Sequence, residues 1–326
     1  MHIVIPRQSP AWTTPLFRKN TQISAANPCP STTRHRYNNQ TAHPLLYGHN
    51  PMPLTLTLTA DTTIPIELEG VTPEKCAGTP ASEIPRITVF EGNRKVPLGE
   101  LFHISGDASD QQLIFRGDLR GVHWIGAGMR SGNIRVEGSA GRHLGSGLAG
   151  GRIDVAGDVG GWVAAEMRRG LIRVHGNAGN CAGGALPGSI RGMTGGTLLI
   201  HGNCGDEAGL AMRRGLIAIA GAPGEFAGRN MIAGTLIAGG RCGRRAGAGM
   251  RRGTLVLAGG SQSPLLPGFS YSGQLQLTTV RLLQKHLHSL NFPLEHPHLC
   301  TNMAIHRGDL ASRGLGEILL PPESTA

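Results

Sequence analysis

The chain has 326 residues, 50 of them glycine and only 4% aromatic, with a formal net charge of +10. This composition excludes a thick mixed core and suits a thin aliphatic one that turns at fixed places; no run of about 20 apolar residues marks a helical membrane span. The charge is no nucleic-acid signature once divided, because residues 1–51 alone hold five Arg or Lys and no acid.

Residues 1–51 are rich in Pro, Thr, Asn and His and lack any apolar period. Such a segment buries too little surface to offset its ordering entropy. It reads either as a disordered tail or as a mis-called extension ahead of a true start at Met52. The first 30 residues show no apolar h-region, so no secretory signal is expected and the cytoplasm is the expected compartment. Six cysteines, Cys29, Cys76, Cys181, Cys204, Cys242 and Cys300, form no CxxC pair and are read as free, mostly buried thiols.

At Leu54–Leu58 the sequence LTLTL alternates with period two, which predicts a strand. Residues 52–104 are read as an irregular N-terminal cap and 105–260 as a repeat domain. Glycines after successive strands fall at Gly138, Gly157, Gly176, Gly202, Gly221, Gly240 and Gly259, spaced 19, 19, 26, 19, 19 and 19. The long spacing holds seven extra residues, Leu186–Gly192. A methionine column (Met129, Leu148, Met167, Met193, Met212, Met231, Met250) precedes a second glycine row by three residues. Two strand columns follow, from Ile134 to Leu255 and from Val136 to Leu257.

Nineteen residues suffice for one coil of short strands and tight corners, stacked about 4.8 Å from the next by parallel pairing. The expected fold is therefore all-β, a parallel β-helix (solenoid) of about seven coils. Glycine serves corners that need positive φ or close backbone approach, and methionine fills a narrow interior. Helical repeats are excluded by the period of two and by glycine every few residues.

If Ile134 and Val136 and their equivalents point inward, the residues between them point outward: Arg135, Asp154, Arg173, Leu199, Ala218, Ile237 and Val256. The last four form an apolar stripe, which needs a cover. The C-terminal extension 261–326 is the expected one, through a helix near Leu283 and Leu287. Val280, Leu283, Leu287 and Leu290 lie at helical spacing, and the same helix over 279–291 is expected to close the last coil.

Glycine-rich strings here sit in no strand–turn–helix unit, so no dinucleotide site is expected. His175 and His201 share a strand position one coil apart but lack a third ligand, so no metal site is expected. Glu166 and the adjacent Asp206 and Glu207 do not suggest acid–base chemistry, and no catalytic centre is read. Residues 117–260 contain seventeen Arg and no Lys. Arg168, Arg169, Arg213, Arg214, Arg251 and Arg252 recur at the same two places, Arg130 adds a fourth coil, and the insertion carries Arg191. These are the candidate binding residues, for carboxylates on a partner or on a coenzyme arm. The other reading is a solvated corner.

The tandem repeats, exemplified by Met167-Arg-Arg-Gly-Leu-Ile-Arg-Val-His-Gly176, and the tail Gly308-Asp-Leu-Ala-Ser-Arg-Gly-Leu-Gly-Glu-Ile-Leu319 resemble the C subunit of formylmethanofuran dehydrogenase and of the related bacterial formyltransferase/hydrolase complex. The repeats alone are shared with the C-terminal domain of glutamate synthase large subunits; the opening strand from Met52 and the tail favour the C-subunit family. The resemblance spans 52–326. It implies a right-handed parallel β-helix without an active site, working beside an amidohydrolase-like and a formyltransferase-like subunit, with a molybdenum or tungsten subunit in archaeal enzymes. It further implies that metals and a methanofuran-type coenzyme are held by those partners, and that the formyl group is made from CO2 in archaea and released as formate in bacteria. A glutamate-synthase-type structural module and a polyanion-binding solenoid are the alternatives; neither nucleic acid nor membrane is the expected partner.

Overall fold

The computed structural model describes residues 52–294, 299 and 301–322, all within one compact unit, His49–Ala326. The readings of 1–51, Cys29 and Cys300 lie outside the described residues. No helix among the described residues is long and apolar enough to cross a membrane.

The fold is mostly β. A thirteen-stranded sheet is parallel through its centre and antiparallel at both ends. Leu54–Leu58 starts the parallel run, Gln112–Arg116 follows, and each repeat then adds one strand. Register passes without slip along Ile134, Ile153, Ile172, Leu198, Ile217, Leu236 and Leu255. Every member of this column, and of the one from Val136 to Leu257, is at most 1% exposed. Both columns belong to the main apolar cluster, which is separate from the one that holds Leu199, Ala218, Ile237 and Val256, so the inward assignment of both columns holds.

A second line of parallel bridges runs through Leu119, Ala140, Val159, Ala178, Cys204 and Pro223. Between the two lines, a buried row at the same 19- and 26-residue spacing changes from Ile125, Leu144 and Val163 to Ala182, Ala208, Ala227 and Ala246.

The two glycine rows answer different demands. Gly132, Gly151, Gly170, Gly196, Gly215, Gly234 and Gly253 all have positive φ. In addition, a methyl placed on Gly234 would sit 2.9 Å from Met212 Cε, so the methionine of one coil seats under the glycine of the next. The post-strand glycines give clearance instead: a methyl on Gly176 would collide with Asp158 Oδ1, and one on Gly202 with Asn177 Oδ1. Those oxygens belong to a side-chain ladder. Asp158 accepts from the Asn177 N–H (2.6 Å), Asn177 from the Asn203 N–H (2.8 Å), and Asn203 from the Ala222 N–H (2.9 Å). The ladder satisfies corner amides that regular sheet pairing leaves out.

The insertion leaves this hydrogen-bond pattern intact. Met193 N–H donates to Gly183 O, just as Met167 N–H donates to Ala164 O one coil earlier. Pro187–Arg191 are exposed, so the insertion stands off the coil.

The C-terminal segment corrects one expectation and meets another. The last coil is closed by the strand Leu315–Leu320, which pairs in parallel with Arg252–Leu257, and not by the helix. The open edge of the last strand exposes unpaired N–H and C=O groups, which a helix side cannot satisfy and another strand can. The helix Thr278–Ser289 lies instead over the outward stripe. Leu199, Ala218, Ile237 and Val256 are fully buried in a second apolar cluster with Val280, Leu287, Phe292, Met303, Ile305 and Leu319. Leu283 packs against it.

Candidate functional site

Each coil contains a non-glycine residue in the left-handed region at one shared place: Trp124, His143, Trp162, Cys181, Glu207, Phe226 and Arg245, with φ between 58° and 63°. This column lies at 19- and 26-residue spacing, so its side chains stack. Trp124 and His143 are parallel with ring centroids 4.1 Å apart, and His143 and Trp162 follow at 5.3 Å. Cys181 Sγ donates to Glu207 (3.6 Å), Arg229 pairs with Glu207, and Arg245 lies over Phe226 at 5.2 Å. Burial, then the Glu207 charge, pushes the Cys181 thiol up to about 11. A thiol held protonated in this way is a poor nucleophile.

Next to this column run the corner arginines. All eight candidates are exposed, and none of their guanidiniums has an ion pair among the described residues. Other arginines are paired: Arg116 with Glu137 (2.7 Å), Arg152 with Asp154 (2.5 Å) and Arg244 with Glu225 (2.6 Å). The corner rows thus keep a charge that Arg116, Arg152 and Arg244 share with a carboxylate.

Coil stacking gathers most of these arginines into two adjoining depressions. The first, about 900 Å3, is bordered by Trp162, the insertion with Ile190 and Arg191, Glu207, Arg213 and Arg251. The second, about 640 Å3, is bordered by Arg213, Arg214, Arg251, Arg252, Arg313 and Leu315 and contains no carboxylate. The two share Arg213, Ile232, Arg251 and Ser312 and form one trench. Arg130 and Arg168 lie on the other side of the insertion in a third depression, beside Glu69 and Glu166. Arg169 borders none of the three.

Arg313 escapes a reading of the repeats because it lies outside them. It is placed by Asp309, whose carboxylate accepts from the N–H groups of Gly249 and Ala311 (both 3.2 Å) and so holds the turn Leu310–Ser312 on the last coil. Arg313 follows with φ of 82°.

His175 and His201 stack at 4.7 Å, with Phe292 edge-on to His201 at 5.0 Å. Phe292 of the C-terminal segment thus partly covers His201. Burial, then the neighbouring His175 and Arg173, lowers its proton affinity. No three His, Cys, Asp or Glu side chains among the described residues are grouped as a metal would need. Glu166 accepts from the Leu186 N–H (3.4 Å), and Asp206 accepts from the Glu225 N–H (2.7 Å), so these acids serve the backbone.

No family model matches the chain. The C subunit of molybdenum-containing formylmethanofuran dehydrogenase 1 of Methanothermobacter marburgensis is 41% identical over 87 residues, 26% of this chain and 22% of that protein. The C subunit of the formyltransferase/hydrolase complex Fhc of Methylorubrum extorquens is 39% identical over 90 residues, 28% of this chain and 34% of that protein. The chain thus matches between a fifth and about a third of the length of these curated relatives. Among solved structures, a chain of the formyltransferase/hydrolase complex (FhcABCD) of Methylorubrum extorquens, in complex with methylofuran, superposes with a TM-score of 0.77 at 37% identity. That match covers 82% of this chain and 100% of the other. With strand register, closing tail and a full-length structural relative in agreement, the chain belongs to the family formed by the C subunits of formylmethanofuran dehydrogenases and formyltransferase/hydrolase complexes.

Proposed function

We propose that this chain is a non-catalytic structural subunit of a formylmethanofuran dehydrogenase-like or formyltransferase/hydrolase complex in one-carbon metabolism. The observation that carries this reading is the match to the whole of one chain of a multi-component assembly. On this reading the coils wind as a right-handed parallel β-helix. The partners are an amidohydrolase-like and a formyltransferase-like subunit, with a molybdenum or tungsten subunit in the archaeal type. Metals and a methanofuran-type coenzyme belong to those partners, and the protein works in the cytoplasm. The domains are the N-terminal cap 52–104, the coils 105–260 and the extension 261–326. The corner arginines bind carboxylates.

The test is purification from the native cell through a tag on this chain, with the co-purifying subunits identified. Recovery of an amidohydrolase-like and a formyltransferase-like subunit, with formyl transfer from the coenzyme in the same fraction, supports the reading. Recovery with amidotransferase subunits, or as an isolated chain, overturns it. The unpaired arginines also suit a polyanion-binding module, which RNA retained at moderate salt would favour, because loose phosphate contacts weaken steeply with salt.

A further inference from the structure

We propose that the trench bordered by Arg191, Arg213, Arg214, Arg251, Arg252 and Arg313 is a docking site for a carboxylate-bearing surface of another protein subunit. The proposal rests on the assembly reading above and goes further by naming the surface and the chemistry it accepts.

Three observations carry it. The first is uncompensated charge. Successive coils stack about 4.8 Å apart, so the rows beginning at Arg213 and Arg251, two coils apart, are about 9.6 Å from each other and largely screened by salt. What distinguishes them is the lack of a partner: the second depression contains no acid to pair with its arginines. Away from the trench the chain supplies Glu137, Asp154 and Glu225 to Arg116, Arg152 and Arg244, and Glu207, which borders the first depression, is already taken by Arg229. A carboxylate from outside gives the trench guanidiniums the partner that Arg116, Arg152 and Arg244 find within the chain, with bidentate geometry available to each.

The second observation concerns the ends of the trench. Ile190 is 78% exposed at one end and Leu315 is 60% exposed at the other. Exposed aliphatic side chains among arginines match the composition of a protein–protein contact. A nucleic-acid strand would instead use open aromatic faces for its bases. Here the rings of Trp124, His143 and Trp162 are stacked on one another.

The third is construction. The insertion provides Ile190 and Arg191, the coils provide four arginines, and the Asp309-anchored tail provides Arg313 and Leu315. Three separate parts of the chain converge on one surface, and it is complete only when the tail is folded onto the last coil.

The experiment uses the complex purified through a tag on this chain. The variant Arg213→Glu/Arg251→Glu changes two exposed side chains and should keep the wild-type thermal midpoint, while its affinity for the other subunits falls at least about tenfold. A second variant, Arg213→Lys/Arg251→Lys, keeps the charge and adds amines. Zero-length carbodiimide coupling should then join Lys at those positions to an Asp or Glu of another subunit. Unchanged affinity of the Glu variant, or coupling confined to this chain, overturns the docking site while leaving the assembly reading standing. Recovery of the wild-type chain with nucleic acid in place of a subunit, and its loss in the Glu variant, overturns it in favour of a polyanion. If wild-type chain brings down no other subunit, the assembly reading fails and the docking site with it. If the Glu variant does not fold, the coupling result alone decides.

Discussion

Three histidines link single residues to solution behaviour. Burial is the first cause of a lowered proton affinity at His123, His143 and His201, joined by Arg142 at the first two and by His175 and Arg173 at the third. In the unfolded chain an imidazole titrates near pH 6.5. Below that value the unfolded chain therefore binds more protons than the folded one, and stability declines as pH falls. The contribution is complete above about pH 6.5 and is lost on acidification. The thermal midpoint should drop between about pH 7.5 and about pH 5.5, and His201→Gln should flatten part of that slope. A midpoint constant over this range would show that the folded imidazoles take up protons freely. Among residue-scale features, the stacked left-handed column was not legible in the sequence. Trp, His, Cys, Glu, Phe and Arg share no side-chain chemistry; they share a backbone angle, which only the corner geometry imposes.

At the scale of elements, the insertion and the helix make separate predictions. Hydrogen bonding on either side of Leu186–Gly192 is that of an uninterrupted coil, and Met193 reaches Gly183 directly. Deleting the seven residues should rejoin Ala185 to Met193 and change stability by no more than about 1 kcal/mol, since loop-closure entropy varies slowly with length. The deleted chain should assemble more weakly, because Ile190 and Arg191 leave the trench; normal assembly would remove the insertion from the interface. The helix Thr278–Ser289 should behave in the opposite way. Leu287 is 1% exposed in the outer cluster, so Leu287→Asp would bury a charge against Ile237 and Val256 or release the helix. Release uncovers the stripe. Proteolysis should then cut first within 278–289, with increased dye binding to apolar surface; wild-type resistance would contradict this docking. The stripe was legible because alternation across a strand is strict, and Leu199, Ala218, Ile237 and Val256 break the polar outer pattern set by Arg135 and Asp154. The identity of the closing element was not legible, because helical spacing at Val280 to Leu290 says which face is apolar but not what it meets. The part of the trench given by Arg213, Arg214, Arg251 and Arg252 could be read from their recurrence, whereas Arg313 enters only through the fold of the tail.

At the scale of the whole molecule, each repeat pairs its strand only with those before and after it, so stability resides largely in the contacts between repeats, with the C-terminal segment lying across four of them. The methionine column is the clearest of these contacts. Met212 is fully buried, and its methyl group lies beneath Gly234 of the next coil, as Met193 lies beneath Gly215 and Met231 beneath Gly253. Aspartate at position 212 would remove a side chain whose loss from a core costs about 2–5 kcal/mol and would place a carboxylate among apolar neighbours without a partner. Each coil serves as the template for the next, so the defect lies in the middle of the array and cannot be confined to a frayed end. The expected outcome for Met212→Asp is loss of the folded state in one cooperative transition, or a chain destabilised by at least about 4 kcal/mol. Met212→Leu, which keeps volume and apolarity, should cost less than about 1.5 kcal/mol. Thermal or denaturant melts followed by circular dichroism and by tryptophan fluorescence make the comparison, since Trp124 and Trp162 report on coils away from the substitution. Two separate transitions, with the tryptophan signal unaffected by Asp at 212, would show that the coils before and after this contact fold independently. An unchanged midpoint in the Asp variant would mean that the column does not bear the inter-coil contact assigned to it.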